Sequence, residues 1–149
     1  MRSFLSVTWA CLSLLLCLSA CGPSTGKDLV SGSLGLDASQ AEEIVYTDDH
    51  GGWLGDGLTH IVLTFPEGGL LGQLRRDARW NLLPMDGTTQ ALLSYVNGEE
   101  LVQIPQGYFR LIDRHSDTQT PILSRYSYNF TLAVYDEQQR TLHYFELDT

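Results

Sequence analysis

Strict alternation of apolar and polar positions marks the last third of the chain. In "RYSYNFTLAVY", residues 125–135, Tyr126, Tyr128, Phe130, Leu132 and Val134 share one face, the period of two that a half-buried β-strand requires. "RTLHYFEL", residues 140–147, follows after "DEQQ" and is predicted to return as its hairpin partner. Further back, "LTHIVLTF", residues 58–65, places Ile61, Leu63 and Phe65 on one side and predicts a central strand. "LVQI" and "GYFRLIDR" flank Pro105-Gln106 and predict a short hairpin.

The period changes between these extended stretches. "EGGLLGQLRRDARW", residues 67–80, sets Leu70, Leu71 and Leu74 at helical spacing with arginines opposite, though three glycines weaken it by about 1 kcal/mol each. "TTQALLSYVNG", residues 88–98, predicts a second helix, with Thr88 as cap, Leu92, Leu93 and Val96 as the apolar stripe and Asn97-Gly98 as the stop. "DASQAEEIV" opens on Asp37, a good cap, and predicts one or two helical turns. Several strands with two helices among them predict an α+β domain: a mainly antiparallel sheet of about four to six strands with the two helices packed on one face. The regular strand–helix alternation of a doubly wound fold is missing, as is any dinucleotide or P-loop glycine pattern, so no cofactor is expected.

The amino terminus follows another logic. "MRSFLSVTWACLSLLLCLSAC" carries one basic residue, Arg2, then an apolar run from Phe4 to Leu18, then small residues before Cys21, the order of an export signal. The run is shorter than the ~20 apolar residues that span a bilayer core. Leu18-Ser19-Ala20-Cys21 resembles the lipobox of bacterial lipoprotein precursors. That resemblance implies lipid on Cys21 and cleavage before it, hence a membrane attachment through the lipid and a domain facing outside the cytoplasm. Residues 1–20 are then a signal peptide, and residues 21–36, "CGPSTGKDLVSGSLGL", rich in glycine and serine, read as the lipidated cysteine and a flexible tether. As a glycine-rich coil, fifteen such residues would reach roughly 20 Å. Residues 37–149 form the single folded domain.

With Cys11 and Cys17 removed and Cys21 acylated, the mature chain holds no thiol, which excludes disulfides, thiol catalysis and cysteine-ligated zinc. Charge narrows the partners further. Eighteen acids against nine bases give a formal net charge of −9, and losing Arg2 takes it to −10. Nucleic acid needs a basic face, and the longest basic pairing here is Arg75-Arg76, so no nucleic-acid partner is expected.

Candidate chemistry gathers in "DDHGGWLGDG", residues 48–57, which joins the extended "IVYT" to the strand at Leu58. Asp48, Asp49, His50 and Asp56 lie within nine positions, and His60 follows in the strand. The acids miss the alternate positions and the closing glutamate of an EF-hand, and two histidines without thiols leave a zinc set incomplete, so no metal site is expected. The glycines fit a tight connection whether or not anything binds. Trp53 points towards recognition, because an aromatic among glycines on a turn can stack on a ligand or partner surface. His60 alternates with Ile61, and His143 falls in the last hairpin; both suit half-buried sheet positions.

Two stretches, "DDHGGWLGDGLTHIVLTF" and "YSYNFTLAVYDEQQRTLHYFELDT", resemble a group of small bacterial lipoproteins and secreted proteins sharing an HGGxxGDG-like loop and a terminal Phe-Glu-Leu-Asp-Thr-like hairpin. Trp53 and Leu54 depart from the Phe and His of that group. The resemblance implies a shared domain and no particular activity. The function expected is therefore a lipid-anchored, non-enzymatic envelope domain that binds a small ligand or envelope protein through Asp48, Asp49, His50, Trp53, Asp56 and His60. The alternative is a metal-assisted or acid–base enzyme using His50 and Asp56.

Overall fold

The computed structural model describes residues 25–51 and 55–149. Cys21 and Trp53 lie outside the described residues. The fold is α+β, built on one six-stranded antiparallel sheet. In chain order the elements are α1 (Gly26–Leu34), β1 (Glu42–Asp48), β2 (Gly57–Thr64), α2 (Leu71–Leu74), β3 (Asn81–Leu82), α3 (Gly87–Leu93), a 3₁₀ turn (Glu99–Gln103), β4 (Gly107–Asp113), a second 3₁₀ turn (Ile122–Ser124), β5 (Asn129–Asp136) and β6 (Thr141–Asp148). Across the sheet the strands run β1-β2-β6-β5-β4-β3.

The alternating segments become the middle of this sheet. Ile61, Leu63 and Phe65 are buried together, and β2 lies between β1 and β6 as a central strand should. The β5–β6 hairpin pairs Asp136 with Thr141 and Asn129 with Asp148. Its strands are apolar on both sides: Ala133, Tyr135, Leu142 and Tyr144 join one core cluster, whereas Phe130, Leu132, Val134, Phe145 and Leu147 join another. A sheet apolar on both faces needs cover on both. Val30 and Leu34 of α1, with Leu70 and Leu74 around α2, cover the first face; Leu92 and Leu93 of α3, with Val96 and Leu101, cover the second. The helices thus divide between the two faces instead of sharing one.

Six local expectations are corrected. The stretch taken as a tether is largely helix α1. Thr25 and Asp28 form a reciprocal capping box, Gly35 closes the helix at φ 66°, and Arg110 Nη1 donates to the Leu34 carbonyl at 2.7 Å. Asp37 caps no helix; its Oδ1 accepts from Ser39 N at 2.9 Å, and the chain enters β1 five residues later. "LVQI" falls in a 3₁₀ turn, so β4 pairs with β3 and β5 and not with it. Tyr126 precedes β5 and is fully exposed, so the alternating face begins further along, with half-buried Tyr128 at its margin. The helix near Leu70 is four residues long, and α3 is capped by Asp86 in place of Thr88. Among the described residues no helix is long and apolar enough to cross a membrane.

Candidate functional site

The 48–57 connection leaves β1 and enters β2, so its two ends are fixed by an antiparallel ladder that pairs Asp48 with Thr59. Asp49 closes the turn: its amide donates to the Leu58 carbonyl at 3.2 Å, and its carboxylate accepts a short hydrogen bond from Leu58 N. Gly57 allows close backbone approach, because a Cβ there would lie 2.6 Å from His50 Cα. Gly55, at φ 77°, takes the left-handed conformation that glycine tolerates best.

His50 is folded back over the strand ends. Its Nδ1 lies 2.7 Å from Asp48 Oδ1 and 3.3 Å from Thr59 Oγ1, and its backbone N–H donates to the same Asp48 oxygen at 3.1 Å. On the other side, Nε2 lies 3.4 Å from Asp148 Oδ2, an ion-pair distance without hydrogen-bond alignment. Burial alone would lower the imidazole pKa, but the Asp48 hydrogen bond and the charges of Asp48 and Asp148 outweigh it, and the net shift is upward. The His50 amide and imidazole in turn hold Asp48 below the usual carboxylate range. The two carboxylates thus favour the charged ring more than water does.

Asp148 extends this arrangement inward. Arg114 spans Asp148 Oδ1 at 3.0 Å and Glu146 Oε1 at 3.1 Å, and the Tyr144 hydroxyl donates a short hydrogen bond to the other Glu146 oxygen. Sheet register places Thr59 and Thr131 on either side of Glu146. The result is a polar row across the end of an otherwise apolar face, running from Asp48 through His50, Asp148, Arg114 and Glu146 to Tyr144. Asp148, Arg114, Glu146 and Thr59 were absent from the residues selected on sequence. The available signal was two acids at alternate positions of a strand pattern, Glu146 and Asp148, on the face that begins with Leu142 and Tyr144.

Of the residues selected on sequence, Asp48, Asp49, His50 and Asp56 belong to this end of the sheet. Asp49 and Asp56 line an open depression of about 450 Å³, together with Asp148, Leu147, Asn97 and Tyr95. Tyr95 packs on Tyr128 with ring centroids 4.6 Å apart and accepts a hydrogen bond from its hydroxyl at 3.2 Å. His60 does not join them. It sits on the opposite face, half-buried and stacked on Phe145 at 4.4 Å, and burial lowers its pKa. His143 lies on that face too, with ring centroids 6.3 Å from His60. His60 is therefore a packed sheet histidine and leaves the candidate set.

His50 binds Asp48 and Asp148, not the Asp56 partner that an acid–base pair would have used. Among the described residues no group of three or more histidines, cysteines or acids is disposed to hold a metal ion. Comparison with family models, with curated proteins and with solved structures finds no match.

Proposed function

We propose that this chain is a lipid-anchored cell-envelope domain that binds a cationic group of a ligand or partner protein, without chemistry, through the 48–57 loop and the depression beside it. The observation that carries the reading is the use of His50. Both ring nitrogens face carboxylates that tie the loop to the ends of β1 and β6, so the histidine acts as a fastener. The loop is thereby held with Asp49 and Asp56 at the rim of the depression, and Tyr95 supplies an aromatic surface within it. Carboxylates beside an aromatic ring suit an ammonium or guanidinium group, which gains from both the charges and the ring. Trp53, as read from the sequence, adds a second aromatic to the same connection. The Leu18–Cys21 lipobox and the apolar run before it support the anchor.

The test is capture from envelope extracts by the full chain held in detergent micelles. The intact chain is expected to enrich a partner, and Asp56→Ala and Trp53→Ala are expected to lose most of it. Equal recovery by all three overturns the reading. Calcium or zinc raising the melting temperature of the intact chain, with reversal by chelator, would replace it with a metal site.

A further inference from the structure

The sheet ends differently on its two sides. β3, at one edge, is two residues long, whereas β1, at the other, runs seven residues and pairs only with β2 among the described residues. Most of β1 is exposed, including Ile44 at 55% and Tyr46 at 42%. An antiparallel pair leaves alternate backbone N–H and C=O groups of its outer strand directed away from the partner, a template for another strand.

Charge selects what can use it. A second copy is disfavoured by overall charge, since each chain carries a formal net −9 and repels its like. The acids of β1 favour a cationic strand. Glu42 and Glu43 have no ion-pair partner among the described residues. At the start of β1, Glu42 and Gln40 line a depression of about 280 Å³ together with Thr64, Phe65 and the exposed Pro66. Such a place takes a lysine or arginine, its aliphatic stem against Pro66 and its charge at the Glu42 carboxylate. The β-bulge between Glu43 and Val45 lifts Ile44 off the ladder, so the regular template is Val45–Asp48, with the Glu42 depression as a separate anchor point.

We propose that β1 is a docking edge for an extended basic peptide segment of a partner protein, added as a seventh strand with a lysine or arginine at Glu42. This site is separate from the depression beside the 48–57 loop.

The test measures fluorescence anisotropy of a labelled eight-residue peptide alternating lysine and threonine, titrated with the full chain in detergent micelles. Saturable binding is expected. N-methylation of alternate peptide amides removes strand hydrogen bonds but keeps charge and is expected to weaken binding about tenfold or more. The double variant Glu42→Gln, Glu43→Gln, checked for an unchanged melting temperature, is expected to weaken it similarly. Asp56→Ala, made so that the peptide's lysines cannot use the depression beside the 48–57 loop, is the background in which both effects are read, and it is expected to keep them. Absence of saturable binding in that background, or equal affinity there for the N-methylated peptide, would each overturn the proposal. So would a chain dimer in sedimentation that the double variant dissociates.

Discussion

His50 and His60 show how one residue type, ten positions apart, acquires opposite chemistry from its surroundings. His50 sits between Asp48 and Asp148 and has its pKa raised, so the folded state holds the proton more tightly than the unfolded chain. Its contribution is fully present below the ordinary value of 6.5 and is lost as pH rises through the raised folded value. Burial pushes His60 and His143 the other way, so their contribution is present above 6.5 and lost as pH falls below it. His50→Gln separates the two effects. Thermal melts from pH 5 to pH 8 should show the variant less stable than the parent by about 1 kcal/mol at the acid end, with the gap narrowing as pH rises. A gap that is constant or widens towards pH 8 would mean that the imidazolium does not fasten the loop. The sequence puts Asp48 and His50 in one candidate loop, because those residues are near neighbours, but it does not pair them. It hid the Asp148 half of the arrangement, which arrives from 98 residues away and depends on β6 lying beside β2. His60 was misplaced among the candidates for the same reason: nearness along a strand says nothing about face until the register is known.

At the scale of elements, legibility followed periodicity. β2, β6 and β5 from Asn129 onward match the extended stretches that alternation predicts, because alternation is a property of the strand itself, although it does not show that β5 is apolar on both faces. At the 3₁₀ turn Glu99–Gln103, "LVQI" reads as a strand because four residues are too few to separate the two periods. The clearest failure is α1, where five glycines and serines within residues 26–35 suggested a tether, yet the signals of a helix were also present. Thr25 and Asp28 have capping-box spacing, Val30 and Leu34 stand four apart on one face, and Gly35 is a terminator. Composition outvoted pattern, and tertiary burial decided otherwise, since short helices in proteins owe most of their stability to packing. Leu34 is fully buried in the cluster that includes Ile61, Leu63 and Tyr144. Leu34→Ala should therefore cost about 2–5 kcal/mol in denaturant unfolding monitored by circular dichroism. A residue in a tether would tolerate the change, so a loss below about 0.5 kcal/mol would return α1 to that role.

For the whole molecule, the helix changes the distance that the proposed lipid on Cys21 would set between body and bilayer. A fifteen-residue coil would hold the domain roughly 20 Å away on average, with long excursions. With α1 folded and Thr25 capping it, four peptide steps separate Cys21 from the body, a span of at most about 15 Å even when fully extended. A lipid on Cys21 thus keeps α1 beside the headgroups, and a net charge of −10 after signal removal disfavours close approach to anionic lipid. The proposed anchor would hold the body near a surface that its own charge resists, leaving the far parts of the domain free to meet a partner. With Cys11 and Cys17 removed and Cys21 acylated, as proposed, the chain would hold no free thiol, which permits a direct measurement. Gly32 has open space around its Cβ position, so Gly32→Cys gives a single labelling site on α1. Energy transfer from a donor there to acceptor-labelled lipid should be strong in the parent. With a dye pair whose Förster distance matches the roughly 20 Å coil reach, fifteen glycine and serine residues inserted before Thr25 should cut it by about half or more, because transfer falls steeply beyond that distance. Equal transfer in both chains would mean that α1 does not set the standoff, and loss of membrane association should follow Cys21→Ser in either one.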